Sequence, residues 1–369
     1  MRTMRRLWVL AILLQATFLL PAAASAAQPS WITMQNDNFR VWSSADETKT
    51  RRALTQLERV RAFYVQLGFM SADNPMPVSV VVFGSDADYK PYRPNQVAAG
   101  YYAGRSDRDY IVFGVLGNES DRIAAHEYTH LVFARANYHL PPWLNEGIAE
   151  LFATLSPAGQ DTQYGGVDPW RPQAMSRQPW VPLMTILEAD QSSPYYNERD
   201  RAGNFYNESW ALVHMLETRN EYRYKFWDMV KAVRNGTPSA QALEAAYGMH
   251  LEQLEATLRA YVYGNSFNRL LIRTQLDDFA ALKGQPADPF DVAEIQAELL
   301  MGLNGRQAEA KTRLEALARQ QPTRSEPWAN LGYLSLHDGN RGLAVEQFAK
   351  AFSLGNRSPR LLFDFGRLG

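Results

Sequence analysis

The segment AAHEYTHLVFARANYHLPPWLNEGIAELF, residues 124–152, holds three of the six histidines of a 369-residue chain. His126 and His130 are four apart, so a helix presents both imidazoles on one face, one turn from each other. That separation lets both coordinate a single Zn2+, whose bonds to nitrogen are about 2.0–2.1 Å. Glu127 lies about 100° further round such a helix, where it can flank the metal and reach a bound water without being a ligand. A zinc site made for catalysis uses three protein ligands and keeps one position open. Glu146 is the candidate for the remaining ligand, one turn into a second helix opened by Pro141-Pro142, where proline is tolerated. Fifteen residues separate His130 from Glu146, enough for the end of one helix, a turn through Asn137–Leu140 and the start of the next. The chemistry this permits is hydrolysis. The metal lowers the pKa of its water toward about 7, and Glu127 takes the proton as that water attacks a polarised carbonyl. The plainer reading is a solvated helix on which two histidines happen to align.

HEYTH followed by WLNEGIAE resembles the gluzincin metallopeptidases, the thermolysin-like and aminopeptidase-like group that uses His-Glu-x-x-His with a downstream Glu. The layout is most similar to the bacterial peptidase MA-like domains, and the likeness covers about residues 35–265. It implies His126, His130 and Glu146 as zinc ligands, Glu127 as general base, and a peptide or protein as substrate. In the aminopeptidase branch the third ligand sits in a segment very like WLNEG; the shorter spacer here leaves the subfamily open. Glu150, four after Glu146, matches the acidic residue that holds a zinc histidine in thermolysin-like enzymes. A carboxylate there accepts the other ring N–H and fixes the tautomer; the alternative is an ordinary surface glutamate. Tyr206, in FYNESWALVHML, resembles the aminopeptidase tyrosine that donates to the developing oxyanion, with Glu208 and Ser209 replacing the Lys and Gly of that pattern. Its alternative is a core or rim aromatic. His214 and His139 are read as outside the site. No GAMEN-like segment is present, so aminopeptidase activity is not implied, and endopeptidase, exopeptidase and self-processing action all stay open.

The elements that must position these groups follow from the flanking pattern. Phe39–Ser44 reads as a short strand and Ala45–Leu67 as an amphipathic helix with Leu54, Leu57, Val60, Arg61 and Tyr64 near helical spacing. Pro77–Ser85 is apolar enough for a central strand. Ala98–Val115 suggests an antiparallel hairpin around RSDRD, whose edge can pair with an extended substrate. Asn118–Asp121 supplies cap-type residues for the helix from Ile123 to about Ala136. Ser156–Gly203 reads as a partly irregular excursion with one helix near Leu183–Ala189. Phe205–Glu217, Tyr222–Arg234, Ala240–Tyr247 and Leu251–Tyr263 read as helices.

After KGQPADPFD, Trp328, Leu331, Gly332, Ala344, Phe348 and Ala351 fall at offsets resembling the tetratricopeptide pattern, with weaker matches at Ala310, Leu314 and Pro322 and at Leu362, Phe365 and Gly366. The expected class is therefore α+β: a thermolysin- or aminopeptidase-like zincin domain over 31–275, with a small mixed β front half and a helical second half. A linker over 276–290 and an all-α TPR-like helical repeat region over 291–369 follow. Such repeats imply a protein partner or an intramolecular brace.

The ends and composition set the compartment. Arg2, Arg5 and Arg6, the mostly apolar Leu7–Leu20 and the small residues around Ala24–Ala27 make residues 1–27 a bacterial-type signal peptide, so a periplasmic or secreted protein is expected. Its apolar run is shorter than the roughly 20 residues a bilayer needs, and no later segment is long and apolar enough to span. Without those three arginines the chain holds 35 basic against 39 acidic residues, a formal charge of −4, and nothing suggests a nucleic-acid partner. The absence of cysteine excludes disulfides, thiolate metal sites and a cysteine nucleophile. A competing class is a protein-interaction module whose zincin-like front is structural or inactive; the intact set His126, Glu127, His130 and Glu146 argues against that. Zinc hydrolysis of a non-peptide amide or ester uses the same machinery.

Overall fold

The computed structural model describes residues 30–73, 76–95, 98–104, 108–117, 119–190, 192–197, 199–274 and 281–368. Residues 1–27, expected to form a signal peptide, lie outside them. Among the described residues no helix is long and apolar enough to cross a membrane.

The front half alternates strand and helix: β1 (Ile32–Gln35), β2 (Phe39–Ser43), α1 (Glu47–Gln66), β3 (Val78–Phe83), the short α2 (Asp86–Tyr89), β4 (Gly100–Gly104) and β5 (Asp109–Val115). Helices then dominate, as α3 (Ser120–Arg135), α4 (Pro142–Phe152), α5 (Trp170–Arg177), α6 (Leu183–Glu188), α7 (Pro194–Asn197), α8 (Arg199–Thr218), α9 (Arg223–Arg234), α10 (Ser239–Tyr247) and α11 (Leu251–Gly264). A small antiparallel sheet joins β6 (Ser156–Ala158), β7 (Asp161–Tyr164) and β8 (Leu270–Arg273). The chain continues through β9 (Gln285–Pro286) into α12 (Pro289–Met301), α13 (Gln307–Gln320), α14 (Glu326–His337), α15 (Arg341–Ser353) and α16 (Pro359–Leu368). This is a mixed α+β protein with an N-terminal sheet and a mostly helical C-terminal half.

The main sheet runs β4-β5-β3-β2-β1-β9. β2, β3 and β5 are parallel neighbours, while β4, β1 and β9 are antiparallel to theirs. Every residue of β3 is buried, as its nearly continuous valines require of a strand covered on both faces. Alternation divides it: Val78, Val80 and Val82 join the core under α1 and α3, whereas Val81 and Phe83 join a second core with Ile295, Leu299, Leu300 and Leu314. Helices α12, α13 and α14 therefore form a third layer against the opposite face of the sheet, and α15 and α16 pack onto α14. The span expected as a linker, 276–290, contributes β9, which extends the sheet beyond β1. Helices α14 and α15 pack so closely that a Cβ on Gly332 would lie 2.5 Å from the Phe348 ring.

The excursion over Ser156–Gly203, expected to be partly irregular with one helix, also holds β6, β7, α5, α7 and the start of α8. Its β6–β7 hairpin turns at Gly159, at φ +64°, a backbone state that glycine adopts freely. The helix expected to carry Ile123 through about Ala136 starts at Ser120, within the cap-type segment, where the Gly117 N–H donates to the Ser120 hydroxyl at 2.6 Å, and Glu119 makes no capping bond.

A candidate metal centre between two helices

The end of α3 brings the two chemical segments together. Asn137 takes the left-handed conformation at φ +54°. The Tyr138 N–H returns to the Phe133 carbonyl at 2.8 Å and the Asn137 N–H to that of Ala134 at 3.0 Å. This is a Schellman motif with asparagine in the glycine position, and the Phe133 and Tyr138 rings seal it at 5.5 Å. Pro142 then starts α4 at its first position, where no amide donor is needed. α4 is fixed from behind by α8: a Cβ on Gly147 would meet Val213 at 2.6 Å and the Ser209 carbonyl at 2.7 Å, so only glycine allows this approach.

The rings of His126 and His130 stand edge to face, with centroids 4.8 Å apart, and their Nε2 atoms are 3.1 Å apart. Glu146 Oε2 lies 3.4 Å from His126 Nε2 and 3.6 Å from His130 Nε2. These three residues form a group able to hold a metal ion. Metal bonds of about 2.0–2.1 Å in tetrahedral array place neighbouring ligand atoms roughly 3.3–3.4 Å apart, and the observed triangle brackets that edge. Its donor chemistry points the same way. His126 Nδ1 is 3.3 Å from Glu150 Oε1, so a proton on Nδ1 leaves Nε2 as a lone pair facing the cluster. His130 Nδ1 is buried with no hydrogen-bond partner among the described residues.

The buried charges of the pocket hold one another. Burial pushes the His126 imidazole down, but hydrogen bonds to Glu146 and Glu150 outweigh it and hold the pKa at about 10. Burial pushes Glu146 and Glu150 up, yet the imidazoles, with Arg171 and Arg122 beside Glu150, hold both far below the ordinary carboxylate range.

Glu150 is buried rather than a surface glutamate. Beside His126 it accepts from Arg122 Nη2 at 2.6 Å and from Arg171 Nη2 at 2.5 Å. Arg171 is itself buried, with its guanidinium 4.8 Å from the Trp210 ring. Glu127 does not join the triangle. Its Oε2 accepts the backbone N–H of Tyr102 on β4 at 2.8 Å, which turns the carboxylate toward the sheet edge. Tyr102 is held a second time, its phenol donating to Asp109 at 2.8 Å while Asp109 pairs with Arg135 at 2.7 Å. β4 is thus tied to both the middle and the end of α3.

Tyr206 is half-buried on α8, its ring against Phe205 at 5.9 Å. It lies one turn before Ser209, on the helix face that meets α4. His214 is a satisfied core histidine, bonded to Tyr261 Oη at 2.7 Å and the Gly165 carbonyl at 3.0 Å, and burial pushes its pKa down to about 4. His139 is exposed and contacts Asn137 at 2.9 Å. Arg122, Arg171 and Tyr102 were not anticipated. Arg122 had a signal, being four residues before His126 on the same helix; Arg171 and Tyr102 had none. No protein-family model matches the chain, and no curated protein matches it.

Proposed function

We propose that the chain is a zinc-dependent peptidase of gluzincin type, with a thermolysin- or aminopeptidase-like zincin unit and a TPR-like helical region. One observation carries the reading: two imidazole nitrogens and a carboxylate oxygen converge at 3.1, 3.4 and 3.6 Å, close to the ligand spacing of tetrahedral zinc. Zinc there would supply Lewis acidity toward a carbonyl oxygen and an acidified water.

The chain's own residues divide the remaining work. Glu150 accepts the Nδ1 proton of His126 and so presents Nε2 as a ligand. Glu127, steadied by the Tyr102 amide, takes the proton of the attacking water and passes it to the leaving amine. Tyr206 donates its O–H toward the developing oxyanion. The pattern of residues 1–27 supports a periplasmic or secreted location.

The test is cleavage of a peptide library by the purified chain, with and without a chelator. Cleavage that stops on chelation and returns with Zn2+ is expected. Cleavage indifferent to the chelator, or none at any zinc concentration, rejects the assignment.

A further inference from the structure

Resting on the peptidase reading, we infer that the helical third layer is the second wall of the substrate cleft, and that it selects extended polypeptides bearing an acidic side chain on the face turned away from the metal site.

The starting point is the outer edge of β4, the terminal strand of the sheet. The Gly114 N–H donates to the Ala99 carbonyl at 2.9 Å. In an antiparallel ladder such bonding alternates, so Tyr101 and Ala103 turn their backbone groups toward β5 while Gly100, Tyr102 and Gly104 turn theirs outward. The Tyr102 N–H spends its bond on Glu127, which fits that assignment. The ligand that best complements such an edge is another extended backbone.

Side chains on β4 alternate between two environments. Tyr102 packs with the core that includes α3, whereas Tyr101 and Ala103 pack with the core of the helical layer. A polypeptide laid beside β4 continues the same pleat, so every second side chain falls on the helical side. On that side lies a cavity of about 660 Å3, lined by Tyr101 through Gly104 and by residues of α12, α13, α14 and α16. Ligand clefts span roughly 300–1,000 Å3.

The cavity's chemistry narrows the occupant. Among its described lining residues, Leu299, Leu303 and Leu334 supply apolar surface, Arg360 and His337 are the basic side chains, and none is a carboxylate. The Arg360 guanidinium is stacked 4.0 Å over the Tyr333 ring. Its Nε is 3.6 Å from Asp364, which also lies 3.7 Å from Arg367. One carboxylate shared by two arginines leaves net positive charge, and Arg360 remains 28% exposed to receive an anion. A carboxylate side chain on an extended backbone satisfies the strand edge, the apolar wall and the cation together.

The test uses the zinc-loaded full chain carrying Glu127→Gln, so that peptides bind without turnover. Fluorescent decapeptides, each with one glutamate moved along an otherwise neutral sequence, are titrated by anisotropy. Affinity should alternate with position, by about tenfold between favoured and disfavoured sites, and Arg360→Glu should erase the alternation. His337→Glu, at an exposed position, should weaken it with the fold intact. Equal affinity for all positions, alternation that survives both substitutions, or no peptide binding overturns the proposal. Hydrolysis of the same peptides by the unsubstituted chain separates the two readings. Hydrolysis without alternation removes the helical wall alone, and alternating binding without hydrolysis removes the peptidase alone.

Discussion

On the α3 side of the sheet, two imidazole nitrogens and a carboxylate oxygen face one another at 3.1 to 3.6 Å. On the α12 side a second charged cluster joins Arg108 and Tyr110 to Glu294, Glu298 and Asn330. There each contact matches a donor to an acceptor. Tyr110 donates to Glu298, Asn330 donates to Glu298 at 2.7 Å and to Glu294 at 3.2 Å, and Arg108 stands 3.5 Å from Glu298. The first cluster instead gathers two imidazole nitrogens and a carboxylate oxygen at one point, an arrangement that is satisfied when buried only if a proton or a metal ion sits among them. Buried charge therefore marks two different things here. One cluster joins the helical layer to the sheet, and the other could hold a metal ion.

Five substitutions test that contrast, in falling order of effect. His130→Ala removes a ligand and should reduce chelator-sensitive peptide cleavage to background, whereas Glu298→Gln, in the matched cluster, should leave zinc content unchanged. Glu127→Gln should keep zinc and lower kcat by about 10²–10⁴-fold, the usual worth of a general base; parallel loss of zinc would mean that Glu127 supports the metal instead. Glu150→Gln should weaken zinc binding by about 10–100-fold, as partners of metal-bound histidines do. Arg171→Met should act in the same direction and add little to Glu150→Gln, because both changes act through one contact. A competition titration with a chelator reads all three proteins.

The smallest effect concerns pH. Burial, then the neighbouring Glu298, raises the pKa of Glu294 well above its ordinary 4.5. A carboxyl with a raised folded pKa keeps a proton that the unfolded chain has released, so its contribution to stability falls as pH rises above about 4.5. Glu294→Gln should flatten that decline in a series of thermal melts, without changing zinc affinity. A melt series as steep as that of the unsubstituted chain contradicts the account of this cluster.

Much of the candidate metal site could be read from the chain because its geometry is local. His126, His130 and Glu127 share one helix, Glu146 and Glu150 share the next, and a single Schellman turn links the two. Helical spacing converts directly into facing side chains over such distances. Arg171 escaped because it reaches Glu150 from a separate helix, and the spacing of DPWRP carries no trace of that contact. The same limit hid β6, β7, β8 and β9. These strands are two to four residues long, too short for a period-two pattern, and β7 finds its partner β8 more than 100 residues later. The burial of Ile295 and Leu299 against the sheet was equally hidden, since the same apolar spacing serves packing within a helical array.

Zinc K-edge absorption on the full chain tests the central claim most directly. The account predicts bound zinc with two imidazole nitrogens and one carboxylate oxygen at about 2.0–2.1 Å, plus one light-atom ligand from solvent. A chain that retains no zinc, or a spectrum unchanged when Glu146 is replaced by alanine, contradicts it.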